Sequence, residues 1–391
     1  MRIAIVSESF LPTLNGVTTS VRHVLDHLAD AGHEAIVIVP SAGAPSHYAG
    51  FRVVEVPAFS YRQFPVGLPS ALVHQTLADF APDLLHAASP FLLGGHAMAA
   101  AAKLGIPSVA IFQTDVAGYA RRNRLGAATG LAWHLVRRVH ENADLTLAPS
   151  TASMADLAEA GITRVERWGR GVDLDGYHPR VRLSPEVGEL RSRIAPNGEV
   201  IVGYVGRVAP EKQLERLAAL RGLAGVRFVI VGDGPSGPRV KRALHGMPVT
   251  WLGSLSGREL AAAYASFDIF VTPGTEETFG QTIQEAHSSG LPVVAPRAGG
   301  PIDLVQSGVD GFLYEPGDDL DLRNAVRRIV DDANLRRRFG EAGRRAVLGR
   351  SWASVCGELV HHYEFVVARH SWSDPAKDRR NMRKVSRSRA L

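Results

Sequence analysis

Two glutamates and two cations carry most of the chemistry that this sequence can be read for. In the run Gly274-Thr-Glu-Glu-Thr-Phe-Gly-Gln-Thr-Ile-Gln-Glu-Ala286, a strand ends near Pro273, a loop carries Glu277, and a helix starts around Gly280. That start puts Glu285 about a turn and a half inside the helix. At about 1.5 Å of rise per residue, the two carboxylates reach groups several ångströms apart along one ligand. Carboxylates accept hydrogen bonds from paired sugar hydroxyls, and the free amides of a helix start meet a phosphate between them. For Glu285 alone, a solvated charge on a helix surface is the simpler reading. Arg207 follows a strand that ends at Gly206, and Lys212 comes five positions later in Arg-Val-Ala-Pro-Glu-Lys. Two cations before a helix suit a diphosphate leaving group, although two solvated surface charges would have the same spacing.

These residues need a scaffold of short strands with helices between them. Arg2 to Ser7 reads as a buried strand, followed by a loop with Asn15-Gly16 and a helix on which Val17, Val21, Leu25 and Leu28 recur at helical spacing. Gly32 stops it before the strand-like Glu34 to Val39. The alternation continues with strands at Asp83 to Ala88, Ser108 to Thr114 and Leu145 to Ala148, and helices at Gly94 to Leu104, Leu125 to Glu141 and Thr151 to Ala160. It restarts with strands at Val200 to Val205, Val226 to Val231, Val249 to Leu252, Ile269 to Thr272 and Pro292 to Ala295. Such alternation implies α/β domains with parallel sheets covered on both faces. Between the halves, Gly169 to Pro179 and the polar stretch to Gly198 read as a linker. Both halves run a strand into a glycine-bearing loop and a helix, an arrangement that aims N–H groups at an anion. Neither loop, Leu14-Asn-Gly-Val17 or Val205-Gly-Arg-Val208, spells G-x-G-x-x-G, which argues against a nicotinamide enzyme.

Composition sets the outer bounds. At 391 residues the chain exceeds what one core organises, so two domains are expected. A hydrophobic fraction of 45% and a charged fraction of 21% are those of a globular protein. No apolar run approaches the roughly 20 residues of a spanning helix, and the N-terminus lacks the apolar run of a signal peptide; both point to the cytoplasm. The single Cys356 excludes an internal disulfide framework and reads as a small core residue. From Ser371 to Leu391 there are seven basic and two acidic side chains, which account for the whole formal charge of +5. The body is neutral, so no nucleic-acid partner is expected, and the tail reads as a disordered segment. His86, His96 and His287 read as packing or surface residues.

In their order and spacing, Asn15-Gly16-Val17, Arg207 with Lys212, and Glu277 with Thr278-Phe279-Gly280 and Glu285 resemble the retaining glycosyltransferases of family 4. The match extends over about 350 residues, and it is closest to actinobacterial GDP-mannose-dependent α-mannosyltransferases that act on lipid acceptors. The resemblance implies the GT-B fold: two Rossmann-like domains facing a central cleft, acceptor in the first and nucleotide sugar in the second. The expected domains are 1–180, completed by a C-terminal helix at about 352–370, and 181–351, with the basic tail at 371–391. Carried over by position, Glu277 holds donor-sugar hydroxyls, Glu285 the ribose, and Arg207 and Lys212 the diphosphate. Phe279 and Gly280 offer amides near the sugar, and Gly16 lets its loop approach the phosphates. Many family members have a histidine where this chain has Gln113, in Phe112-Gln-Thr-Asp115. Gln113 can bond a sugar hydroxyl but cannot act as a base; Asp115 either orients the acceptor or caps the next segment.

A glycosidase would need two carboxylates flanking the anomeric carbon, and the family geometry puts Glu277 on hydroxyls instead. The implied path ionises the sugar–phosphate bond, the leaving oxygen takes the acceptor proton on the same face, and Arg207 and Lys212 stabilise the leaving charge. No metal and no cofactor are expected, and closure about the linker near Gly171 would exclude water. The acceptor is expected to be a lipid or glycolipid at an anionic membrane surface. Phe59 to Phe64, Tyr119 to Arg124 and the basic tail would make a peripheral contact on the inner face of the cell membrane, although solvated loops and a solubilising tail would read the same in sequence. UDP-sugars would use nearly the same motifs. A sugar-nucleotide 2-epimerase, or a glycan- or lipid-binding protein without turnover, are the competing classes.

Overall fold

The computed structural model describes residues 1–61, 64–88, 90–113 and 126–373. Asp115, the Tyr119 to Arg124 stretch, part of Phe59 to Phe64 and the basic tail from 374 onward, all singled out in the sequence, lie outside the described residues. The chain forms two compact units, described separately below. The first comprises Met1–Pro149, Ser153–Gly169 and the chain from Val355; the second comprises Ser150–Ala152 and Arg170–Ser354.

Among the described residues the first unit contains ten strands: β1 (Arg2–Ser7), β2 (Glu34–Pro40), β3 (His47–Tyr48), β4 (Phe51–Val56), β5 (Ala58–Tyr61), β6 (Phe64–Gly67), β7 (Leu84–Ala88), β8 (Ser108–Ile111), β9 (Leu145–Ala148) and β10 (Val165–Arg167). Eight of them form one sheet in the order β10-β9-β8-β7-β1-β2-β4-β3, while β5 and β6 pair as a separate hairpin. The central strands are short apolar runs buried on both faces, as a parallel sheet with helical crossovers demands. Their register sets Ile5 opposite Val37 and His86. From β1 the chain builds outward through β2 to one side and then returns to add β7, β8, β9 and β10 on the other. The switch point of this sheet therefore lies between β1 and β7, where an open α/β sheet forms its ligand crevice.

The helix Trp352–Ser373 completes this unit from Val355 onward. Val355, Cys356, Leu359, Tyr363 and Val366 are buried along it at helical spacing. Trp168 Nε1 donates to Val355 O at 2.9 Å, and the Tyr363 hydroxyl and His86 Nδ1 share a buried hydrogen bond. Burial keeps His86 neutral, with its pKa lowered to about 3. Cys356 is a core residue whose thiol burial pushes up to about 12.

The second unit is a six-stranded sheet of β11 (Val200–Val205), β12 (Val226–Val231), β13 (Val249–Gly253), β14 (Ile269–Val271), β15 (Val293–Pro296) and β16 (Gly311–Tyr314). Every pairing is parallel, in the order β13-β12-β11-β14-β15-β16. Its switch point lies between β11 and β14. One core cluster packs around Tyr204, Leu217, Phe228 and Tyr314, and another around Tyr264, Phe267, Phe270 and Ile283. Strand β16 and the helices Asp319–Asp331 and Ala333–Val347 extend the alternation beyond the last strand read from the sequence.

The units change over at Gly169/Arg170 and Ser354/Val355, which differs from the expected boundaries at 180/181 and 351/352. The reason lies in the segment taken for a linker. Val172 pairs in parallel with Ser351, and its N–H donates to Arg350 O at 2.9 Å. Arg344 donates to Leu174 O and Tyr177 O at 3.0 Å each, so the segment after Arg170 is fastened into the second unit. Glycine and proline content marked it as a break. The backbone groups are instead paired, as partly buried amides and carbonyls must be.

Candidate functional site

The second unit brings six of the expected residues to the carboxyl ends of β11 and β14. Arg207 and Lys212 follow β11, and Glu277, Phe279, Gly280 and Glu285 follow β14, so both sets flank one switch point. Glycines permit this. Gly206 has φ +149°, and the Tyr204 hydroxyl beneath it donates to Arg207 O at 3.1 Å, fixing the start of the cation loop. A Cβ on Gly274 would lie 2.9 Å from Glu211 O, so the two loops touch where no larger residue would fit.

Lys212 Nζ donates to Glu277 Oε2 in a close ion pair, with each side chain 22% exposed. Arg207 reaches Glu211 at 3.8 Å and keeps 63% of its side chain exposed, leaving its guanidinium at the edge of the site. Glu277 is held from behind as well: its carbonyl accepts the Gly300 N–H at 2.7 Å. A Cβ on Gly299 would lie 2.4 Å from Glu277 O, and one on Gly300 would lie 2.1 Å from Phe279 O. The Gly299-Gly300 pair therefore forms the floor under the Glu277 loop, and sequence reading passed over it. The available signal was a glycine doublet directly after a strand.

The helix Gln281–Ser288 starts on Gly280 at φ +105°, and no side chain caps it. Its first N–H groups thus keep the unsatisfied donors of a helix start, on the chain that follows β14 as Arg207 and Lys212 follow β11. Phe279 is buried and anchors the turn. Glu285 sits inside this helix with partial exposure, its Oε2 accepting from the Tyr264 hydroxyl at 2.7 Å. Burial pushes its carboxyl up to about 7, against the opposing hydrogen bonds from Tyr264 and Gln281. Gln281 and Gln284 on the same helix donate to Gly171 O and Arg170 O at 3.0 and 2.8 Å. They draw in Arg170, which sequence reading left in the linker. Burial lowers the pKa of its guanidinium, and the Glu277 carboxylate opposes that shift.

Two further expected residues are in the first unit. Gly16 opens the helix Gly16–Asp30, which Asn15 caps by accepting the Val17 and Thr18 N–H groups at 3.0 Å each. Gln113 follows β8 and is buried. His86 and His287 are buried and neutral, as packing residues are, and His96 Nε2 bonds Ser70 O at 3.1 Å.

A switch-point crevice with two cations, a free helix start and two carboxylates at different depths suits an anionic ligand that also carries hydroxyls. Comparison with known proteins gives the family. Residues 14–175 match the model of Glycosyltransferase Family 4, and residues 189–346 match that of Glycosyl transferases group 1. The chain is 48% identical over 380 residues to a GDP-mannose-dependent alpha-mannosyltransferase of Mycolicibacterium smegmatis, covering 95% of this chain and 99% of that one. It is 36% identical to a sulfoquinovosyl transferase of Arabidopsis thaliana, with 92% and 72% covered. It is 26% identical to an alpha-monoglucosyldiacylglycerol synthase of Acholeplasma laidlawii, with 82% and 86% covered. Among solved structures, the Anabaena HepE protein in complex with UDP superposes with a TM-score of 0.76 at 21% identity, over 93% of this chain and 100% of that one. The fold is that of the GT-B enzymes, and the near-full-length match places the chain in its family: it belongs to glycosyltransferase family 4 and is a glycosyltransferase.

Proposed function

We propose that the enzyme transfers mannose from GDP-mannose, with retention of anomeric configuration, to a lipid or glycolipid acceptor and releases GDP. The observation that carries this reading is the pairing of Lys212 with Glu277 beside the uncapped helix start at Gly280. In this reading the diphosphate displaces Lys212 toward itself and lies across Arg207, Lys212 and the free N–H groups. Glu277 then accepts hydroxyls of the sugar, and Glu285 accepts those of the ribose. Charge develops on the leaving oxygen as the sugar ionises, and preorganised cations in a dry site stabilise it far better than water does. The same oxygen takes the acceptor proton on the face it leaves, so Gln113 need not act as a base and serves to hold a hydroxyl. Arg207 and Lys212 supply the charge that a divalent cation would otherwise bring.

The base and sugar come from the relatives' names, as does a lipid acceptor, which the diacylglycerol product in one of those names supports. Seating the acceptor in the first unit follows the family resemblance. Work at the inner face of the cell membrane, by peripheral contact with anionic lipid, completes the reading; among the described residues no helix is long and apolar enough to cross a membrane. The test is nucleotide release from a panel of GDP- and UDP-sugars, with and without membrane lipid extract. Lipid-dependent GDP release from GDP-mannose, lost in Glu277→Ala, is expected. Release that ignores the acceptor would instead indicate an epimerase, and preference for a UDP-sugar would overturn the donor assignment.

A further inference from the structure

The sheet of the first unit has its own switch point, between β1 and β7, and a carboxylate stands in it. Glu8 follows β1 directly. Its Oε1 accepts the N–H of Phe91 at 3.0 Å and of Gly94 at 2.9 Å, at the start of the helix Leu92–Leu104 that follows β7. That helix has no cap from its own N-cap residue, Phe91, and no acidic residue in its first turn. Glu8, 83 residues earlier than Phe91, provides the missing acceptor.

Two consequences follow. The first concerns phosphate: a helix start draws anions through its free N–H groups and dipole, and here the protein's own anion has taken that place. A phosphate brought to the crevice meets a carboxylate, not free amides. The second concerns hydroxyls. A carboxylate has two oxygens and about four lone-pair directions, and the two N–H groups from Phe91 and Gly94 converge on one oxygen, Oε1. The side chain keeps partial exposure at the carboxyl edge of the sheet, where Gln113, after β8, is also placed. Burial raises the Glu8 carboxyl, and the backbone N–H groups of Gly94, Phe91 and Leu93 oppose that shift. Carboxyl oxygens accept hydrogen bonds, and sugar or polyol hydroxyls donate them.

We propose that Glu8 is an acceptor-positioning, specificity-determining residue: its carboxylate receives hydroxyls of a glycosyl headgroup at the β1/β7 switch point and bars a headgroup whose phosphate would lie there. This rests on the acceptor being seated in the first unit. The test compares wild type with Glu8→Gln, whose amide oxygen can still accept from Phe91 and Gly94 and so preserve the helix start. Transfer from GDP-mannose is measured to a glucosyl diacylglycerol and to phosphatidylinositol, each in neutral detergent micelles, with donor KM and Tm recorded alongside. The expected result is a rise of about tenfold in KM for the glucosyl lipid, with kcat and donor KM little changed. The ratio of kcat/KM between the two lipids should move toward phosphatidylinositol by at least that factor. An unchanged ratio, including equal losses on both lipids with a lowered Tm, overturns the proposal and leaves Glu8 a structural cap. Wild type that releases GDP but glycosylates neither lipid overturns the acceptor assignment itself, and this inference with it.

Discussion

The two sheets finish the helix starts at their switch points in opposite ways. In the first unit the protein fills its own anion sites. Asn15 caps the helix at Gly16, Glu8 caps the helix at Leu92, and Glu55 accepts from three successive N–H groups, Ala42, Gly43 and Ala44, at 2.8 to 2.9 Å. These bonds hold the Glu55 carboxyl below the usual carboxylate range. In the second unit the helix at Gln281 begins with no side-chain cap, and Lys212 pairs with Glu277 in the loop before it. Backbone donors need partners either way. Where a fold provides them from its own side chains, an incoming anion finds nothing to bind; where it withholds them, the ligand becomes part of the folded structure. The proposed donor diphosphate site is of the second kind.

Replacing Glu277 should break this contrast most severely. Glu277→Ala removes the carboxylate proposed to hold the sugar and leaves Lys212 without its partner, and kcat/KM for GDP-mannose should fall on the order of 10²- to 10³-fold, as read by acceptor-dependent GDP release. Removing the cation is expected to cost less: Lys212→Ala should lower kcat by about 10²-fold while Arg207 still faces the leaving group. If kcat is unchanged and only KM rises, Lys212 merely binds the ground state and the leaving-group assignment fails.

Glu285 sharpens the comparison through pH. Its folded carboxyl titrates near 7 against an ordinary value of 4.5, so the folded protein binds the proton more tightly than the unfolded chain. Stability on this account is fully present below pH 4.5 and is lost as pH rises through about 7. Glu285→Gln should match wild type in denaturant melts at pH 4.5 and become the more stable protein at pH 8, by about 2 kcal/mol once partial solvent exposure is allowed for. Identical curves at both pH values would contradict a buried, ionisable Glu285. The smallest effect belongs to the first unit: Asn15→Ala should lower stability by about 1 kcal/mol, or about 2–4 °C in Tm, and leave the donor KM unchanged. A raised donor KM would mean that the cap also shapes the donor site.

Much of the architecture was legible because its signals are local. Arg2 to Ser7, Val200 to Val205 and Val226 to Val231 are short apolar runs bounded by glycine or polar residues, and all three are strands with those bounds. Arg207, Lys212 and Glu277 could be named because each lies in the loop that follows a strand, Glu285 because it lies on the helix that follows the second loop, and their spacing matches a family. What escaped notice depends on contacts distant in sequence. Glu8 gains meaning only from Phe91 and Gly94, and Gly299-Gly300 only from the carbonyls of Glu277 and Phe279. Arg170 looked like part of a linker because its neighbours are glycines. Gln281 and Gln284, more than a hundred residues later, fasten that segment to the site helix.

The helix that completes the first unit also imposes an order on synthesis. The strands β1 to β10 leave the ribosome first, yet the surface against which Tyr363 packs, with His86 and the Trp168 indole awaiting partners, stays open until Val355 to Val366 have been made. All of the second unit except Ser150–Ala152 is translated in between, with its strands complete by Tyr314. The half of the enzyme begun first is therefore the half finished last, and a nascent chain halted at Ser354 carries one completed unit and one with a buried face still exposed.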